Sequence, residues 1–335
     1  MSSVPQITLA GKKVGRVGYG LMQLTWTPEP PTKEESFAAM KAAADSGATA
    51  WSTATFYGPP NNPMANLHLI AAFFKKYPEY KEKIVIALKG CLEPNLAPFP
   101  AAQIVERGRA ELKKCQDILG GKVIDIYLPA RVDTKASIEE VVSQFKVLKD
   151  EGLFTEVGLS EVKCETLERA SKIVPIAVLE IEVSLWSYDT LIQTALSSAQ
   201  SLSVPVFAYS PLGRGFITRK WNKPEDIPEG SYQRMSPRFQ GDAFYQNLKL
   251  VDLLDEAAKK KGVETSQLAL GWVVGLNDVT IPIPGSSKPD RVRRNTESAS
   301  LKLSDEELKG INETLDSFEV VGGRYPAQAA AHLMQ

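Results

Sequence analysis

Histidine is scarce in this chain of 335 residues: there are two, His68 inside a helical run and His332 near the C-terminus. Neither ends a strand, so acid–base work at strand ends has to run without imidazole, the side chain that titrates nearest neutral pH. Cysteine is equally sparse. Cys91, Cys115 and Cys164 are an odd number with no Cys-x-x-Cys spacing, which speaks against a disulfide framework and the usual zinc patterns and fits a reducing compartment. Neither charge dominates. The 39 basic and 40 acidic residues leave a net charge of -1, which gives no electrostatic basis for binding nucleic acid or an anionic membrane. No apolar run approaches the ~20 residues of a membrane span, and Met1-Ser2-Ser3-Val4-Pro5-Gln6 lacks the basic-then-apolar pattern of a secretory leader. The expectation is a cytoplasmic protein with a small-molecule partner and no metal; oligomeric state is left open.

What is present is an alternation. Short β-prone apolar runs fall at residues 14–19, 48–51, 84–88, 123–128, 155–159, 177–183, 204–209 and 279–283, with helical stretches between them. Thr32-Lys33-Glu34-Glu35 and Ser137-Ile138-Glu139-Glu140 read as capping boxes, and Gly47 and Gly152 as the stops of those helices. Ile138, Val141, Phe145 and Leu148 recur at three- and four-residue spacing, one face to be docked on a sheet. Strand and amphipathic helix in alternation imply parallel strands with right-handed crossovers, and eight of them predict a (β/α)8 TIM barrel. The competing doubly wound sheet needs G-x-G-x-x-G after its first strand, whereas the chain has Gly18-Tyr19-Gly20-Leu21-Met22-Gln23. Residues 212–241, rich in glycine and proline, read as a mobile loop over the site. A further capping box at Ser304-Asp305-Glu306-Glu307 opens a last helix. The chain is expected to form one domain, residues 1–335, with a tail from about residue 316 lying across the barrel mouth.

Barrel enzymes keep their chemistry at the C-terminal ends of strands. Tyr57 follows the run at 48–51, and Lys89 ends the run at 84–88. A phenol titrates near ~10, and a lysine ammonium beside it favours the phenolate, drawing that value toward working pH. Such a pair can hand a proton to a carbonyl oxygen. Taken singly, either residue is equally a rim aromatic or a lysine reaching for water.

The pattern continues. Gly158-Leu159-Ser160-Glu161 follows the fifth run, Glu180-Ile181-Glu182 lies in the sixth, Ala208-Tyr209-Ser210-Pro211-Leu212 follows the seventh, and Ile283-Pro284-Gly285-Ser286-Ser287-Lys288 leads to Arg291, Arg294 and Asn295 after the eighth. This set, in this order, resembles the aldo-keto reductases over residues 14–315. The stretches Phe56-Tyr57-Gly58-Pro59-Pro60, Ala65-Asn66-Leu67 and Ala130-Arg131-Val132-Asp133 are similar, more narrowly, to the fungal pyridoxal reductases of that superfamily.

The resemblance implies NADPH-dependent reduction of an aldehyde to an alcohol, with Tyr57, Lys89 and Ser52 at the catalytic positions. For the cofactor it implies Tyr209 stacked on nicotinamide, with Ser160, Glu161 and Glu180 at the carboxamide. Gly20, Leu21 and Met22 after the first strand would line the same site, as would Ser210, Pro211, Leu212, Gly213 and Gly215 after the seventh. Ile283, Gly285 and Ser286 continue it, Lys288 and Arg291 would meet a 2′-phosphate, and Arg294 and Asn295 would lie near adenine.

Two family positions depart. Where the family has a catalytic aspartate and histidine, this chain has Ser52 and Ala130. Lys89 is then expected to have at best a neutral hydroxyl beside it, which lowers its own pKa, and the carbonyl loses a donor of the kind often worth ~3 kcal/mol. Pyridoxal suits such a site, because its ring hydroxyl can hydrogen-bond the neighbouring aldehyde internally. Met22, Trp26 and Trp186 are candidate pocket walls. The alternatives are a reductase of another carbonyl, or an NADPH-binding sensor with little turnover.

Overall fold

The computed structural model describes residues 4–326 and 333–335; residues 1–3 and 327–332, His332 among them, lie outside the described residues. The first strands, β1 (Gln6–Leu9) and β2 (Lys12–Gly15), form an antiparallel hairpin. Ala10 and Gly11 turn it with φ of 46° and 75°, the two left-handed positions that a two-residue hairpin loop requires. The run at 14–19 is therefore not one strand. Val14 belongs to the hairpin, and only β3 (Tyr19–Gly20) enters the barrel. The reason is packing: Leu9 and Val14 cluster with Ala50, Val85, Ile126, Val178, Phe207 and Ile281, so the hairpin plugs the barrel floor and the chain turns before climbing.

From β3 the sheet runs in chain order through β4 (Ala50–Ala54), β5 (Val85–Gly90), β6 (Ile126–Pro129), β7 (Glu156–Ser160), β8 (Ile176–Glu182), β9 (Val206–Tyr209) and β10 (Thr280–Pro282). All seven pairings are parallel. The seam between β10 and β3 is closed by the Gly18 amide donating to Pro282 O at 2.9 Å and the Gly20 amide donating to Pro284 O at 3.3 Å. A Cβ on Gly20 would stand 2.7 Å from Ile283 O, so this approach demands glycine. The result is the expected (β/α)8 barrel.

The helices are α1 (Lys33–Asp45), α2 (Ala65–Lys76), α3 (Ile104–Leu119), α4 (Ile138–Asp150), α5 (Cys164–Ser171), α6 (Thr190–Ser201), α7 (Gly241–Lys261), α8 (Thr265–Gly275), α9 (Pro289–Glu297) and α10 (Asp305–Ser317). Thr32, Ser137 and Ser304 form the expected capping boxes with Glu35, Glu140 and Glu307. On α4, Ile138, Val141, Phe145 and Leu148 are buried, each contributing roughly 1.5–3 kcal/mol of apolar transfer.

Residues 212–241 are more built than their composition suggests. Short 3-10 turns carry Phe216, Ile217, Trp221, Ile227 and Phe239 into the core. The tail after α10 crosses the mouth, with Val321 exchanging hydrogen bonds with Asn247 on α7 and Tyr325 reaching Tyr209.

Candidate active site

Alternation along a strand decides which side chains reach the mouth. Ala50, Ala87, Leu128, Val178 and Phe207 lie in the barrel interior. Two residues on, facing the same way, come Ser52, Lys89, Ala130, Glu180 and Tyr209.

Three of these form a closed triangle. Lys89 Nζ donates to Ser52 Oγ at 2.6 Å and to Glu180 Oε1 at 2.8 Å, while Ser52 Oγ donates to Glu180 Oε2 at 2.8 Å. All three are buried. Because β4 and β8 stand on opposite sides of the eight-strand order, Glu180 reaches across the barrel to make these contacts. One expectation is corrected here: Lys89 has the Glu180 carboxylate beside it and not merely a neutral hydroxyl. Glu180 borders the cleft, and its two oxygens are engaged by Lys89 and Ser52. Burial lowers the Lys89 pKa, but Glu180 and then Tyr57 offset it, leaving the ammonium above its ordinary 10.5.

Tyr57 stands above this triangle, with Lys89 Nζ 5.2 Å from its ring centre. Burial pushes the phenol up, Lys89 pulls it down, and Glu180 pushes it up again, for a net value above the ordinary 10.0. The expected drift toward neutrality does not occur, since burial, joined by the charge of Glu180, outweighs the pull of Lys89. Tyr57 is held as a neutral phenol, the form that donates a proton. Its backbone is fixed from below: Tyr57 O accepts from Thr25 Oγ1 at 2.7 Å and from the Asn66 amide at 3.2 Å. Asn66 Nδ2 in turn donates to Thr25 Oγ1 at 2.7 Å and Leu21 O at 2.9 Å. Trp26 stacks on the ring at 5.6 Å and 27°. The roles of Thr25 and Asn66 were missed in the sequence; a buried asparagine in the first turn of a helix is the only signal they leave.

A cleft of about 1780 Å³ opens over Tyr57. Ser52, Lys89, Ala130, Ser160, Glu180 and Tyr209 line its strand-end floor, with Gly20, Leu21 and Met22 beside them. Ser210, Pro211, Leu212 and Gly215 form one flank, and Ile283, Gly285, Ser286, Lys288, Arg291, Arg294 and Asn295 form the far end. Three expected residues lie elsewhere. Gly213 packs on Trp186, whose Cε3 would meet a Cβ there at 2.9 Å, and Trp186 itself stacks on Phe216 at 4.1 Å within the core. Glu161, fully buried, accepts from the Glu182 amide at 3.1 Å, Tyr209 Oη at 2.8 Å and Arg324 at 3.3 Å. Its valences are filled from behind the cleft, because an unpartnered carboxylate there would be costly.

At the far end α9 begins without a side-chain cap, so its first-turn amides are open to an anion. Lys288 Nζ rests 3.1 Å from Glu35 on α1 and both are largely exposed, so the lysine is free to turn. The open first turn of α9 and the basic side chains beside it suit an anion such as a phosphate.

A family model for the aldo/keto reductases matches residues 16–316. The chain belongs to the aldo/keto reductase family. Among its relatives, the Schizosaccharomyces pombe protein named probable pyridoxal reductase 2 is 33% identical over 96% of this chain and 98% of its own. The aldo-keto reductase yakc [NADP(+)] of the same organism is 31% identical over 99% and 97%. A solved structure, the glycerol dehydrogenase of Gluconobacter oxydans, superposes with a TM-score of 0.80 at 23% identity over 96% of this chain and 98% of its own, a likeness of fold. As an aldo-keto reductase the protein is an oxidoreductase that uses a nicotinamide cofactor on carbonyl compounds. Among the described residues no cluster of His, Cys, Asp and Glu is arranged to hold a metal, and no helix is long and apolar enough to cross a membrane.

Proposed function

We propose that this aldo-keto reductase is cytoplasmic and uses NADPH to reduce an aldehyde to a primary alcohol, with pyridoxal, giving pyridoxine, as the leading substrate. The observation that carries the reading is a neutral Tyr57 phenol over a charge-balanced Lys89–Glu180–Ser52 triangle, at one end of a cleft whose other end is the open N-terminus of α9. Lys288, Arg291 and the Ser286 hydroxyl suit the 2′-phosphate that distinguishes NADPH from NADH. When bound, NADPH supplies the hydride to the carbonyl carbon.

The chain's own residues handle the proton. Tyr57 donates to the carbonyl oxygen as charge develops there, and Lys89, held by Glu180, stabilises the phenolate left behind until solvent reprotonates it. The carboxylate the family keeps on one strand is thus supplied from the opposite side of the barrel. That compensation supports turnover over a sensor role, because a protein that only binds nucleotide has no use for it. The name of the fission-yeast relative supports pyridoxal, and that of yakc supports NADP. Steady-state oxidation of NADPH and of NADH against pyridoxal, plain aromatic aldehydes and aliphatic ketones tests the reading: pyridoxal with NADPH should give the highest kcat/KM, and equal values across the panel would remove pyridoxal as the substrate.

A further inference from the structure

Arg131 is the mouth residue that the reading above leaves without work. It follows Ala130 just past the end of β6, lines the cleft and is partly buried. Its Nη1 donates to its own Ala130 O at 2.5 Å, which folds the guanidinium back toward the strand end where the family's carbonyl donor would stand. Most other deep cations are paired, Lys89 with Glu180 at 2.8 Å, Arg214 with Glu182 at 2.9 Å and Arg324 with Glu161 at 3.3 Å, while Arg238, away from the cleft, spends its donors on the Trp186 and Gly322 carbonyls and Ser187 Oγ. Among the described residues no carboxylate forms an ion pair with Arg131. The cleft side chains near it include the phenols of Tyr209, Tyr232 and Tyr325, which carry no charge, and the Glu161 carboxylate behind them is already filled. A guanidinium on the cleft wall with donors to spare can take an anion from the cleft, and its planar fork suits two neighbouring oxygens.

We propose that Arg131 binds an ionised oxygen of the substrate, carried on the atom next to the one that bears the aldehyde. The substrate class is then aldehydes with an adjacent anionic oxygen, which the ionised ring hydroxyl of pyridoxal satisfies. An ionised oxygen accepts and cannot donate, so the fork of Arg131, spanning it and the carbonyl oxygen, takes over from an internal hydrogen bond. The inference rests on the reduction reading above, and its test keeps the two apart.

Wild type, Arg131→Gln and Arg131→Lys are compared on pyridoxal and its 3-O-methyl ether with NADPH. The wild-type preference for pyridoxal in kcat/KM should be ~10- to ~100-fold, carried mainly by KM, as befits a charge-assisted contact. It should collapse in Arg131→Gln and fall partway in Arg131→Lys. An unchanged ratio in Arg131→Gln, or equal losses on both compounds, overturns the proposal. Should that variant not fold, Arg131→Lys decides, and a wild-type ratio there overturns it. Should wild type reduce neither compound, the reduction reading fails, and quenching of the intrinsic tryptophan fluorescence by pyridoxine and its 3-O-methyl ether decides separately: selective binding of pyridoxine that Arg131→Gln abolishes supports the role of Arg131, and equal binding of pyridoxine and its ether overturns it.

Discussion

At the residue scale the central feature is a carboxylate that has changed strands. Ser52 occupies the family's aspartate position and fits because Glu180 fills the space across the barrel, its two oxygens taken by Lys89 and Ser52. Burial, with Glu180 adding to it against the pull of Lys89, holds the Tyr57 phenol above its ordinary 10.0, and reduction should be flat through neutral pH with an alkaline limb above that range. Glu180→Gln leaves the Lys89 charge unpaired, so the Tyr57 pKa falls. The alkaline limb of kcat/KM should move to lower pH, and a profile superposable on wild type would deny Glu180 this role. Ala130→His addresses the second departure. It crowds the space beside Arg131 and restores a neutral donor, so kcat/KM should swing from pyridoxal toward plain aromatic aldehydes. Recovery of one to two powers of ten on the latter corresponds to ~1.4 to ~3 kcal/mol; a uniform loss on all aldehydes would make Ala130 a packing residue only.

At the element scale, much was readable. Helix starts announced themselves at Thr32, Ser137 and Ser304 because a capping box is local chemistry. Strand ends were readable because interior and mouth residues share parity, as with Ala87 and Lys89. What resisted was contact across the barrel: nothing local tells that Glu180 on β8 meets Lys89 on β5, and the resemblance, which placed Glu180 at the cofactor carboxamide, gave no sign of that contact. The hairpin was lost for a related reason, since Val14 is equally apolar whether it starts a barrel strand or plugs the floor. The open start of α9 yields its own test. Replacing Lys288 and Arg291 with methionine should weaken NADPH binding by ~10-fold or more while leaving NADH within twofold, measured by fluorescence titration; equal losses for both cofactors would contradict a 2′-phosphate site.

At the scale of the whole molecule, the tail and the barrel are joined through buried charge. Arg324 lies 3.3 Å from Glu161 and 3.8 Å from Glu182, and Arg214 lies 2.9 Å from Glu182. Burial pushes the Glu182 carboxyl up, but Arg214, Arg324 and Arg238 outweigh it and leave it below its ordinary 4.5. A carboxyl whose folded pKa is depressed adds stability that is complete above its unfolded value and is lost as pH falls through the folded one. Arg324→Met should therefore lower Tm at neutral pH, and the gap from wild type should narrow below about pH 4.5; a gap constant down to acid unfolding would assign the loss to packing alone. The account as a whole stands on proton donation by Tyr57, and one measurement reaches it directly: the rate of NADPH oxidation by pyridoxal in wild type and in Tyr57→Phe at saturating cofactor. The account predicts a fall of at least two powers of ten in kcat, the usual worth of a positioned acid, with NADPH affinity unchanged, whereas near wild-type turnover in the phenylalanine variant would contradict it.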